Sequence, residues 1–296
     1  MFIPVLGCYP CGMRLALLTS LVLIAFAGNS VLARLALTGS DIGPWGFSLV
    51  RFVSGALILL VLTRAKDSWD AGGWPAAAAL CVYGVFFSFS YLELATGTGA
   101  LLLFASVQLT MLAAALLHGE RFSAFQIIGL ILAVGGLIYL LAPGVESPSP
   151  VGALLMVLSG IGWGVYSVWG KGPGKAIGRT AGNFSRAAII LILLTPLILW
   201  RLPETVPGFS GLTLAILSGT VTSAVGYVLW YYVLRDLSVT TASISQLSVP
   251  VIASLGGAFF VFEPVTPPFA ISCAVVLFGV GLATAQPAKK NGPSFD

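Results

Sequence analysis

Residues 24–34 read IAFAGNSVLAR, and residues 161–171 read IGWGVYSVWGK. Superposed, they share an isoleucine (Ile24, Ile161), an aromatic ring (Phe26, Trp163), a Ser-Val pair (Ser30 and Val31, Ser167 and Val168) and a closing base (Arg34, Lys171). The match continues along the chain. Arg51 falls opposite Arg186, and Glu120, Ser123 and Gly136 fall opposite Glu263, Thr266 and Gly279 at one constant offset. The chain repeats itself, so the composition of one copy decides the fold of both.

Each copy is strongly apolar. Of 296 residues, 58% are hydrophobic and 8% charged, with a mean hydropathy of +1.02, whereas a soluble domain carries roughly 25% charged residues. So few charges cannot coat a globule in water. At about 20 apolar residues per membrane helix, this length holds roughly ten. Runs between charged or Gly/Pro-rich breaks place them at 15–37, 45–62, 74–94, 100–117 and 124–142, then at 151–170, 183–200, 212–234, 240–262 and 268–285. Five is odd, so the second copy enters the membrane from the opposite side. The expected fold is an all-α polytopic membrane protein, ten transmembrane helices in two inverted five-helix repeats around a central cavity, an architecture used for alternating access. The expected divisions are an extension at 1–13, repeats at 14–142 and 151–285, a connecting loop at 143–150 and a tail at 286–296. Met13 followed by Arg14 and an apolar run reads as an alternative start, and the long first span argues against a cleavable signal.

Lysine and arginine set the orientation. With the N-terminus inside, the inner segments carry Arg14, Arg64, Lys66, Arg121, Lys171, Lys175, Arg179, Arg235, Lys289 and Lys290, while the outer ends hold only Arg34 and Arg201. That imbalance predicts cytoplasmic termini. The net charge of +4 is scattered, with no basic run suited to nucleic acid. Cys8 and Cys11 form a CxxC without the second pair a zinc site needs. The single histidine, His118, excludes an HExxH peptidase. No span holds paired carboxylates or a nucleophile beside a base. Neither a metal nor a cofactor is expected, and the expected partners are a small-molecule cargo and membrane lipid around a monomer, with an oligomer left open.

Polar and aromatic residues inside spans mark the candidate site, because in lipid each needs a partner and faces inward. Trp163 lies deep in the sixth span, with Tyr166 and Ser167 three and four residues on. Gly160, Gly162 and Gly164 beside it admit either a ligand or a neighbouring helix. Asn29, Tyr83, Ser88, Gln108, Tyr227, Ser243 and Gln246 complete the candidate binding set. Pro250 reads as a mid-span kink, a gating hinge or a static bend. Arg51 and Arg186 admit two readings: anchors for a substrate carboxylate, or structural groups capping neighbouring helices, which their symmetric placement favours. Glu120 and Glu263 read as caps of the helices that follow them, the first before a Ser123–Gln126 capping box and the second before Thr266 and Pro267. No span centre carries Asp or Glu, which argues against cationic-drug/proton exchange and for a neutral or zwitterionic cargo.

These features together resemble the drug/metabolite transporter superfamily in its ten-helix, EamA-type branch, from Arg14 to Ala285. The carriers are the first-helix pattern closed by Arg34 or Lys171, the second-helix Arg51, the Glu120 and Glu263 junctions, and Pro250 preceded by Thr240, Thr241, Ala242 and Ser243. Within the branch the chain looks most like bacterial inner-membrane amino-acid exporters of the YddG type. The resemblance implies a basket of helices whose cavity opens alternately to each side, and export of small metabolites, amino acids with aromatic or apolar side chains among them. It equally admits a flippase or exporter of another metabolite or lipid-linked substrate. Phe26 against Trp163, and Val107 against Pro250, imply unequal contributions from the two halves.

Overall fold

The computed structural model describes residues 9–63, 71–117, 122–142, 148–169, 176–233, 236–237 and 245–284, and among them there is no strand. The helices are α1 (Tyr9–Gly39), α2 (Pro44–Thr63), α3 (Trp74–Ser90), α4 (Thr96–Leu117), α5 (Ala124–Leu141), α6 (Pro150–Trp169) and α7 (Ala176–Arg201). The eighth span is α8 (Phe209–Leu217), a π-helical stretch (Ser218–Val225) and α9 (Gly226–Val233) in unbroken succession. Then come α10 (Ser248–Gly256), a second π-helical stretch (Gly257–Val261) and α11 (Pro267–Thr284). Among the described residues, eight helices are long and apolar enough to cross a membrane, and Trp74–Ser90 and Ser248–Val261 are shorter apolar helices. The outer surface displays Leu17, Val61, Ile131, Leu193 and Phe278, side chains that a bilayer solvates and water does not. The chain is a multi-pass membrane protein.

Two expectations shift. α7 starts at Ala176 rather than 183, because Thr180, Asn183 and Arg186 are buried against neighbouring helices instead of marking a helix end. The third span stops at Ser90 and turns through 91–94. Pro250 is the third residue of α10, after a break at Leu247. Residues 245–246 are helical ahead of that break, so the chain is interrupted one turn before Pro250, where a proline leaves a carbonyl without its donor and permits a bend.

The helices pair in a definite pattern. α2 packs on α7 and α5 on α11; α6 lies against α3 and α4, while α1 lies against the eighth span and α10. Close approach is achieved with glycine. A methyl at Gly162 of α6 would stand 2.8 Å from the Tyr83 amide nitrogen of α3, and one at Gly160 the same distance from the Leu103 carbonyl of α4. α6 is thus a wedge with one bare side for each neighbour. Gly129 of α5 and Gly279 of α11 interlock in the same way, each facing the other's carbonyl oxygen.

Caps fix the ends. The Ser123–Gln126 capping box opens α5 as the sequence predicts. Two further caps, both carboxylates, act at long range. Glu204 accepts from the Trp45 and Gly46 amides, both at 2.8 Å, at the first turn of α2. Glu263 does not cap the helix that follows it, which Thr266 opens by accepting from the Phe269 amide. Instead it takes the Thr96 amide at 2.7 Å at the start of α4, and pairs with Arg34 Nε at 2.8 Å.

Candidate functional site

The aromatic residues of the inner faces form one connected chain. The Trp230 ring meets Phe26 at 5.8 Å between centroids, Phe26 meets Tyr227 at 5.9 Å, Tyr227 meets Trp163 at 4.8 Å and Trp163 meets Tyr83 at 4.9 Å. Tyr83 continues to Phe87 and Tyr91. Five of these residues (Phe26, Tyr83, Phe87, Trp163, Tyr227) wall a central cavity with Asn29, Ser30, Leu103, Phe104, Val107 and Thr222. Its free space is about 20 Å³, room for little more than one water. The rings close on one another.

Behind the Tyr83 side of this wall lies a polar network. Arg51 is 1% exposed. Its Nη2 donates to the Tyr83 hydroxyl at 2.8 Å and its Nε to Ser223 Oγ at 3.0 Å, while Nη1 makes no hydrogen bond. The guanidinium also sits 5.1 Å from the Tyr83 ring centroid and 5.0 Å from that of Phe87, so aromatic faces supply part of its stabilisation. The Tyr83 hydroxyl accepts a second, longer bond from Asn29 Nδ2 at 3.4 Å. Asn29 Oδ1 in turn accepts from Ser218 at 2.7 Å and Thr222 at 3.2 Å. The π-helical stretch makes this set possible. Its wider turn brings Ser218, Thr222 and Ser223 to bear on α1 and α2 together, a use of π turns that recurs at functional sites.

The expected site residues divide accordingly. Trp163, Tyr83, Tyr227 and Asn29 are brought together on the cavity wall. Tyr166 is buried behind Trp163 at 5.4 Å and does not line the cavity. Ser88 also lies off the wall: it donates to the Gly84 carbonyl and accepts from Ser48 at 2.8 Å, joining α2 to α3. Gln108 is buried and Gln246 half-buried, both away from the cavity in this conformation. Ser243 and Glu120 lie outside the described residues. Phe26, Phe87, Thr222 and the buried hydroxyls of the π stretch were missed, the first two because single apolar rings in a span carry no mark of a cavity.

The two arginines, opposite one another in the repeat, have different surroundings. Arg186 bonds the Gly182 carbonyl of its own helix at 3.1 Å and stacks over Trp74 at 5.7 Å, next to the Asn183–Gly73 bond that ties α7 to the start of α3. Arg51 backs the cavity. A second cavity of about 330 Å³ lies at the Arg34 end of α1, lined among others by Arg34, Glu93, Thr98, Ser254 and Glu263. Arg34 also donates to the Tyr91 and Leu92 carbonyls at 2.8 and 3.0 Å. Among the described residues, no group of His, Cys, Asp and Glu is placed to hold a metal ion.

Comparison with known proteins now adds to this geometry. The model of the EamA-like transporter family matches twice, over residues 13–142 and 150–285. An uncharacterized protein of Pseudomonas aeruginosa is 45% identical over 275 residues, 92% of this chain and 95% of that one. A protein of Streptantibioticus cattleyicolor, named a probable terminal-alkyne amino-acid exporter, is 26% identical over 85% of this chain and 86% of its own. The inner membrane transporter YedA of Escherichia coli is 25% identical over 61% of this chain and 59% of its own. One solved crystal structure superposes with a TM-score of 0.60 at 19% identity, covering 89% of this chain and 96% of that chain, a likeness of fold.

Proposed function

The chain belongs to the EamA-like transporter family, and on that premise we propose that it is a secondary exporter of small metabolites, amino acids with aromatic or apolar side chains foremost, working by alternating access. The observation that carries this reading is the central cavity, whose wall joins six aromatic rings to amide and hydroxyl groups. Such a wall suits a ligand with one apolar and one polar end. The similarity to a relative named as an amino-acid exporter supports the cargo class.

In this proposal the molecule is ten spans in two inverted repeats, divided at 14–142 and 151–285. The double family match supports the division. So does the helix pairing: exchanging each span of one half for its counterpart turns α6 on α3 and α4 into α1 on the eighth span and α10, and returns α2 on α7 and α5 on α11 to themselves. With cytoplasmic termini, from the Lys/Arg distribution, the Arg34–Glu263 pair lies at the outer end. There it holds α1, the start of α4 and the chain after α10 together, and its opening would admit the outward-facing state. Carboxylates lie at span ends rather than span centres, which supports facilitative or weakly coupled movement in the bacterial inner membrane.

Purified protein in liposomes, given a panel of radiolabelled amino acids with and without a pH gradient, tests the reading. The expected result is saturable flux of aromatic and branched amino acids that ignores the gradient. Folded protein that moves none of the panel would overturn it.

A further inference from the structure

The network behind the cavity has an unbalanced stock of hydrogen-bonding groups. Arg51 is a buried cation whose hydrogen-bond partners, Ser223 and Tyr83, are both neutral. Among the described residues the carboxylates are Asp41, Glu93, Glu204, Asp236 and Glu263, all at helix ends or in loops, and no ion pair forms at Arg51. A buried charge without a counter-ion is costly, and stacking on Tyr83 and Phe87 covers only part of that cost. Two of the acceptors beside it are already used. The Tyr83 oxygen takes bonds from Arg51 and Asn29, and the Asn29 oxygen takes bonds from Ser218 and Thr222. Two bonds fill the two lone pairs of each. The Tyr83 and Tyr227 hydroxyls bond one another beside the guanidinium, so what remains is one hydrogen of that pair on the cavity wall and the unbonded Nη1 of Arg51.

We propose, building on the transporter reading, that the cargo carries a carboxylate which the Tyr83 and Tyr227 hydroxyls receive, with Arg51 as its counter-ion. Surplus donors around a fixed positive charge make a receptor for an anionic oxygen, and bonds of this kind are the strong ones in a dry site. Among the described residues no acidic side chain lines the cavity to meet an ammonium group, so that end of an amino acid rests on the faces of Trp163, Phe26 and Tyr227. An amine without the carboxylate meets only the repulsion of Arg51. The rule for entry is an acid group first and a ring-compatible body second. The near-symmetric Arg186, held on a backbone carbonyl and Trp74, takes no part, which answers why one pose does not need two anchors.

Three ligands of similar size separate the possibilities: phenylalanine, phenylalaninamide and 3-phenylpropanoate. Binding is read on the purified full-length protein through tryptophan emission, Trp163 standing in the wall. Phenylalanine and 3-phenylpropanoate are expected to bind, and phenylalaninamide roughly tenfold more weakly. Arg51→Gln should reduce the binding of both acids about tenfold and bring phenylalanine and its amide within about twofold of each other. Tyr83→Phe keeps every ring contact and should weaken the acids by roughly threefold to tenfold while sparing the amide. It carries the test alone if Arg51→Gln fails to elute as a folded monodisperse peak. Equal binding of acid and amide to the unaltered protein, a preserved preference in the variants, or no binding of either acid would overturn the carboxylate site. If 3-phenylpropanoate binds as described but liposomes move no amino acid, the anion site stands and the amino-acid export reading falls.

Discussion

Phe262 has φ = 59°, the one non-glycine residue with positive φ among those described. It ends the second π stretch in the left-handed conformation, and the next amide, Glu263 N–H, reaches back to the Gly257 carbonyl at 3.1 Å. A glycine ordinarily holds such a position, because a side chain there costs about 1–2 kcal/mol. Phe262 is 87% exposed, so its ring adds little packing to offset that cost. Phe262→Gly should therefore raise the stability of the detergent-solubilised protein by about 1 kcal/mol, seen as a higher melting temperature. Trp163 is a different kind of residue, since its ring contacts Tyr83, Tyr166 and Tyr227. Trp163→Ala should raise the half-saturating concentration for aromatic amino acids roughly tenfold, given about 0.5–1.5 kcal/mol per ring pair. The change for small aliphatic cargo should be much smaller in the same flux assay.

At the scale of elements, α6 depends on its bare faces. Gly162→Ala places a methyl 2.8 Å from the backbone of α3, where neither helix has a flexible side-chain end to move aside. About 1–3 kcal/mol of destabilisation is expected, measurable as a lowered melting temperature, while Gly135→Ala, with open space around its Cα, should be neutral or slightly stabilising. The same distinction explains what the sequence made readable. The Ser123–Gln126 box was legible because its members stand three residues apart and answer only to each other. The caps supplied by Glu204 and Glu263 were not, because their amides lie 159 and 167 residues away and no local pattern links them. Glu263 could be recognised as a capping residue, but not the helix it caps. Trp163, Tyr83, Tyr227 and Asn29 were legible as polar or amphipathic groups deep in apolar runs. Ser88 looked the same in sequence, yet it is satisfied by Ser48 and Gly84, since a hydroxyl's partner depends on which helices meet. The π-helical stretches left no mark in the hydropathy pattern, because one residue more per turn barely changes an already apolar run.

At the scale of the whole molecule, the Arg34–Glu263 pair joins segments far apart in the chain and is only partly exposed, 18% and 14%. A double-mutant cycle with Arg34→Gln and Glu263→Gln should return a coupling of about 1–3 kcal/mol in thermal unfolding. Near-zero coupling would mean the pair is incidental to holding that end shut. The central cavity bears on a separate question, the direction of net movement. Space for about one water is far too little for an amino acid, so the rings must part for such a cargo to enter. An exporter of the proposed kind that resets with the rings together has no need of a return passenger, and preloading the far side of a vesicle with unlabelled amino acid should then accelerate labelled flux by less than about twofold.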